Sequence, residues 1–139
     1  MPYVSIPDIP KGGALDLQRG DTWVITIQRL GSIAARDKLW WSLKDDVDKT
    51  DAQALVQIEE TARLVYINGA AATTPANGSI TIDDAAAGDI TVTLAAVESA
   101  KLENVGKFYY DVQMLVGAVV TTLVQGRAVV MGDVTRETS

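Results

Sequence analysis

Apolar and polar residues alternate along most of this chain. In "ALDLQRGDTWVITIQRL", Leu15 and Leu17 share one side, and Trp23, Ile25 and Ile27 share one face opposite Thr22, Val24, Thr26 and Gln28. A period of two, rich in β-branched and aromatic residues, predicts strands. "KLWWSLK" continues it with Leu39, Trp41 and Leu43 on one face. "ALVQIEE" and "ARLVYINGA" follow as strands, with Asn68-Gly69 supplying the residues of a tight turn. "SITIDD" and "GDITVTLA" are two short runs around "DDAAAG". "GKFYYDVQMLVGAVVTTLVQGRAVVMGD" reads as two long strands about Gly117, with Phe108, Tyr110, Val112 and Met114 on one face and a bulge expected at Gly126. The single helical piece runs from Val97 to Leu102 and ends around Asn104 to Gly106. About eight strands and one brief helix predict an antiparallel β-sandwich.

Pro2, Pro7 and Pro10, three of the four prolines, precede Gly12-Gly13. Proline fixes φ and removes a backbone donor, so residues 1–13 are expected to form an extended arm. Residues 14–136 then make the sandwich domain and 137–139 a flexible tail.

Composition narrows the chemistry. The 139 residues suit one domain that can bury its own core. The sequence has neither cysteine nor histidine. Disulfides, thiolate zinc sites and cysteine nucleophiles are therefore excluded, and the commonest general base is missing. A net charge of −6 disfavours phosphate backbones and anionic membranes, so neither nucleic acid nor membrane is an expected partner. The N-terminus lacks the pattern of a secretory signal, and no apolar stretch approaches a membrane span.

Each conspicuous motif has a structural reading that competes with the chemical one. Arg19-Gly20-Asp21 carries the integrin-binding tripeptide, but it lies between two alternating runs, where Gly bends the chain and Asp21 opens the next strand. Asp45, Asp46, Asp48 and Asp51 suggest a cation loop over 45–51. Aligned to a calcium-binding helix–loop–helix, however, the turn glycine is replaced by Asp51 and the final glutamate by Gln57, so a solvated loop is favoured. Asp83, Asp84 and Asp89 border a hairpin connection, where such residues cap backbone donors more often than they hydrolyse glycosides. Asn77-Gly78-Ser79 matches a glycosylation sequon that matters only in a secretory pathway.

Trp23, Trp40, Trp41, Tyr109 and Tyr110 could stack on sugars. Neighbours on a strand face opposite sides, so one member of each adjacent pair belongs to the core. The outward members more often serve protein contacts. No phosphate-binding loop, dinucleotide fingerprint or framed Ser/Lys nucleophile is present. The expectation is a non-enzymatic protein without catalytic residues, cofactor or metal.

The closing segment carries Tyr110, Asp111, Val112 and Gln113, then Thr122, Leu123 and Gly126, then Asp133, Val134, Thr135 and Arg136. In that order these residues resemble the closing segment of small all-β structural proteins of tailed phages, akin to the N-terminal domain of phage upper baseplate proteins. "RGDTW", "WWSLKDDVDKTDA" and "ITIDDAAAGDITVTLAAVESAKL" are similar to earlier segments of the same group, so the likeness spans residues 15–136. It implies an immunoglobulin-like antiparallel sandwich acting as a structural component of a phage or prophage particle, tail- or baseplate-associated. On this reading the protein is made in the bacterial cytoplasm and resides in the virion, a homo-oligomer contacting other virion proteins. A capsid decoration or head-tail joining protein is the first alternative, and a carbohydrate-binding adhesion module the second. The two final strands and the arm are the expected contact elements.

Overall fold

The computed structural model describes residues 3–9, 14–45, 53–103 and 105–132. Strands run in the order β1 (Tyr3–Ile9), β2 (Leu15–Gln18), β3 (Thr22–Ile27), β4 (Lys38–Lys44), β5 (Val56–Glu59), β6 (Arg63–Ile67), β7 (Ala70–Ala71), β8 (Gly78–Asp84) and β9 (Asp89–Leu94). A one-turn helix α1 (Ala96–Ser99) then leads into β10 (Gly106–Val116) and β11 (Val119–Met131). The helix thus begins one residue earlier and ends three residues earlier than the sequence suggests.

Two sheets form. One has the order β1-β3-β9-β8 and the other β2-β11-β10-β4-β5-β6-β7. Strands β3, β9 and β8 take the places of B, E and D, while β11, β10, β4, β5 and β6 take those of G, F, C, C′ and C″ in a variable-type immunoglobulin domain. The fold is an immunoglobulin-like β-sandwich.

The alternation read from the sequence explains the layering. Trp23, Ile25 and Ile27 on β3 are buried, as are Ile90, Val92 and Leu94 on β9. They meet Leu39, Trp41 and Leu43 of β4 and Phe108, Tyr110 and Val112 of β10 in one core cluster. Each fully buried Leu or Ile contributes on the order of 1.5–3 kcal/mol. Trp41 occupies the strand-C position where antibody domains pack a tryptophan on a disulfide between strands B and F. Here the chain has no cysteine, and aliphatic side chains such as Ile25 and Val112 fill the core instead.

The ladders are antiparallel except at two edges, where β1 runs parallel to β3 and β2 parallel to β11. Both edge strands come from the N-terminal segment, which crosses between sheets. Their sense is therefore not dictated by a tight hairpin. Residues 3–9 of the expected arm form β1, an edge strand paired with β3 of the same sheet. The Asn68-Gly69 turn has φ of +54° and +74°, as a two-residue hairpin of this kind requires. The ladder between β10 and β11 is regular at Gly126, opposite Tyr110. The bulge instead falls at Leu123, because Val112 pairs with Val124 while Gln113 pairs with Thr122.

Candidate assembly surface

The β10–β11 hairpin presents the most exposed apolar side chains of the sheets. Val119 is 64% exposed, Val120 54% and Val116 38%. Between Gln113 and Gly126 the sequence contains no charged residue. The tip is nevertheless fixed: the Gly117 N–H donates to Asp37 Oδ2 at 2.6 Å, and the Asp37 N–H donates to the Leu115 carbonyl at 2.7 Å. On its outer side β11 is paired with β2 only from Ala128 to Met131. From Val119 to Arg127 it therefore has no partner strand among the described residues.

The other sheet margins differ. Strand β8 ends in Asp83-Asp84, β1 contains Pro7, and β7 has two residues. Charge, proline and shortness all discourage strand addition. The Leu123 bulge interrupts the β11 margin, leaving two short runs on either side of it.

The outward face of β4, β10 and β11 is ordered in rows. Lys38, Leu115 and Val120 form one row, Trp40, Gln113 and Thr122 the next, then Ser42, Asp111 and Gln125, then Lys44, Tyr109 and Arg127. Gln113 Nε2 donates to Thr122 Oγ1 at 3.2 Å within its row. Trp41 and Tyr110 are the core members of their pairs, and Trp40 and Tyr109 face outward, as strand alternation requires. Trp40 and Tyr109 stand four positions apart along the sheet, roughly 14 Å at about 3.4 Å per residue, so they form no common stacking platform. Trp23 is wholly buried, and its indole N–H donates to the Gln18 carbonyl at 2.9 Å.

Arg19-Gly20-Asp21 is the corner at which the chain leaves one sheet for the other. Gly20 takes φ +92°, and its N–H donates to Ser99 Oγ at 3.0 Å. The Ser99 hydroxyl in turn donates to the Asp21 carbonyl at 2.7 Å, while an Arg19 Nη1 hydrogen reaches the Leu102 carbonyl at 3.3 Å. Helix α1 thus locks the tripeptide as a strand entry. That geometry is the opposite of a mobile recognition loop.

The remaining motif residues are spent on local structure. Asp84 Oδ1 accepts from the N–H groups of Ala86 and Ala87, Asp83 Oδ2 from the Thr91 hydroxyl, and Asp89 Oδ1 from the Arg29 N–H. Asn77 Nδ2 donates to Glu98 Oε2 at 2.7 Å. Of the acidic loop, Asp45 is described, and Asp46, Asp48 and Asp51 lie outside the described residues, as do Asn104 and Asp133 to Arg136. Among the described residues no group of three or more acidic side chains is gathered to hold a metal, and no helix is long and apolar enough to cross a membrane.

Sequence reasoning missed several anchoring side chains. Helix α1 carries two buried polar residues, Ser99 beneath the Arg19–Asp21 corner and Glu98 beside Asn77. Buried Glu59 caps the next turn by accepting from the Thr61 and Ala62 N–H groups at 2.7 and 2.9 Å. Arg36 clasps Glu60 with two hydrogen bonds of 2.6 Å, and that contact raises the guanidinium pKa above its ordinary value. Nothing in the alternating pattern marks a polar residue that a neighbouring loop will cover.

No family model matches the sequence, and no curated protein matches it. Among solved structures, the chain is similar to the NK cell receptor Nkp44, described as a triggering partner in natural cytotoxicity. The likeness has a TM-score of 0.49 at 20% identity and covers 88% of this chain and 100% of that one. It concerns fold and extends to neither ligand nor role.

Proposed function

We propose that this protein is a non-enzymatic structural component of a tailed phage or prophage particle, associated with the tail or baseplate and acting by protein–protein assembly. The observation that carries the reading is the uncharged Gln113–Gly126 tip of the β10–β11 hairpin, whose exposed valines flank a turn fixed by Asp37 and whose β11 margin is partly unpaired. A pre-ordered apolar tip loses little conformational freedom on docking. An uncovered strand margin recruits a strand from a neighbour, a property that particle proteins can put to controlled use. The resemblance of "YYDVQ", "TTLVQG" and "RGDTW" to phage baseplate-associated proteins supplies the setting. Its partners are other virion proteins and further copies of itself, and its location is the virion.

Antibody labelling of purified particles from the host that carries the gene tests this reading. Label on tails or baseplates is the expected result. Label on heads alone would point to the capsid decoration or joining role, and absence from particles would overturn the proposal.

A further inference from the structure

Lys107, Tyr109 and Arg127 project from the outward face of the β10–β11 ladder, with Tyr109 directly opposite Arg127. With Ala14, Phe108, Ala128 and Val129 they line a groove of about 360 Å³. Among the described residues neither Lys107 nor Arg127 has a hydrogen bond or ion pair. Most other described cations do: Arg19 reaches the Leu102 carbonyl, Arg36 holds Glu60, Arg63 holds the Ala76 and Gly78 carbonyls, and Lys101 pairs with Glu98. Two unsatisfied cations beside an exposed tyrosine, over apolar walls, complement a segment that is both acidic and small.

The chain carries such a segment. From the end of β8 to the start of β9 it reads Asp83-Asp84-Ala85-Ala86-Ala87-Gly88, and Asp83, Asp84, Ala86 and Ala87 are exposed. The turn is rigid. Its Ala85, Ala87 and Gly88 carbonyls accept from the N–H groups of Ile33, Gly31 and Leu30, and Asp84 caps it from within. Position rules out insertion into its own groove. The turn lies beyond Ile27 in the β1-β3-β9-β8 sheet, whereas the groove lies in the other sheet, where β11 meets the start of β2.

We propose that Lys107, Tyr109 and Arg127 form a docking groove for the Asp83–Ala87 turn of a second copy of this chain. The contact joins unlike surfaces, head to tail, and so generates rings or filaments rather than a closed dimer. The inference rests on the reading that the protein works by assembly, but it uses a surface separate from the valine tip. Because the cations are exposed, the attraction is weak for each pair and is screened by salt.

Sedimentation of the full chain tests it, at about 50 mM and about 500 mM salt, where screening lengths differ severalfold. The wild type is expected to form species that grow with concentration at low salt, with association weakened at least tenfold at high salt. Lys107→Glu/Arg127→Glu lacks a working groove, and Asp83→Lys/Ala86→Lys lacks a working turn while keeping the Asp84 cap. Each variant alone is expected to be monomeric, with an unchanged circular dichroism spectrum. Mixed in equal amounts they are expected to stop at a one-to-one dimer, because one intact groove meets one intact turn. A monomeric wild type at low salt, or a mixture that does not pair, overturns the groove. If the groove variants associate as the wild type does, the groove fails, while the assembly reading stands or falls separately on particle labelling.

Discussion

Gly126 sits directly across the β10–β11 ladder from Tyr110, and a methyl group added to Gly126 would stand 2.7 Å from the tyrosine ring. The ring is buried and lies over the glycine, so neither partner has room to yield. Gly126→Val is expected to destabilise the domain by about 1–3 kcal/mol, the range for overpacking a filled core. Urea unfolding should show a lower midpoint with an unchanged slope.

Burial raises the Tyr110 phenol pKa above its ordinary value of 10.0. The folded protein therefore holds that proton more tightly than the unfolded chain does. Its contribution to stability is full below pH 10.0 and is lost as the pH rises through the folded value. Alkaline titration should show part of the tyrosinate absorbance appearing together with unfolding. Tyr110→Phe should flatten the loss of stability over that same window.

Ser99 joins two elements that the sequence keeps far apart, since its hydroxyl serves both the Gly20 N–H and the Asp21 carbonyl. Ser99→Ala removes both bonds at a buried position and should cost about 1–2 kcal/mol. Asp21→Asn leaves those backbone bonds in place and should change stability by no more than about 0.5 kcal/mol. Thermal unfolding of the two variants checks the contrast. If the tripeptide were an independent surface motif, Ser99→Ala would be as silent as Asp21→Asn.

Much of this architecture is legible in the sequence because strand alternation is a local property. The inward set on β3, β4 and β10 follows from period two, and so does the rule that one of Trp40/Trp41 and one of Tyr109/Tyr110 is core; the structure makes Trp41 and Tyr110 those members. Long-range pairing is not encoded that way. The parallel contacts of β1 and β2 depend on where a crossing segment lands, and the bulge at Leu123 depends on register against β10. Gly126 attracted the bulge expectation because glycine often marks one, whereas here it makes room for an aromatic ring. The groove of Lys107 and Arg127 was invisible for a related reason. Its cations are 20 residues apart in sequence and meet only through the hairpin ladder.

Single-thiol footprinting tests the assembly role most directly, because the chain has no native cysteine. Val119→Cys places a thiol on the exposed hairpin, and Ala62→Cys places one on the exposed turn between β5 and β6. In the isolated protein both should react with a maleimide at similar rates. In purified particles Val119→Cys should be protected at least tenfold while Ala62→Cys stays reactive. Equal labelling at both positions in assembled particles would contradict a structural role for the hairpin.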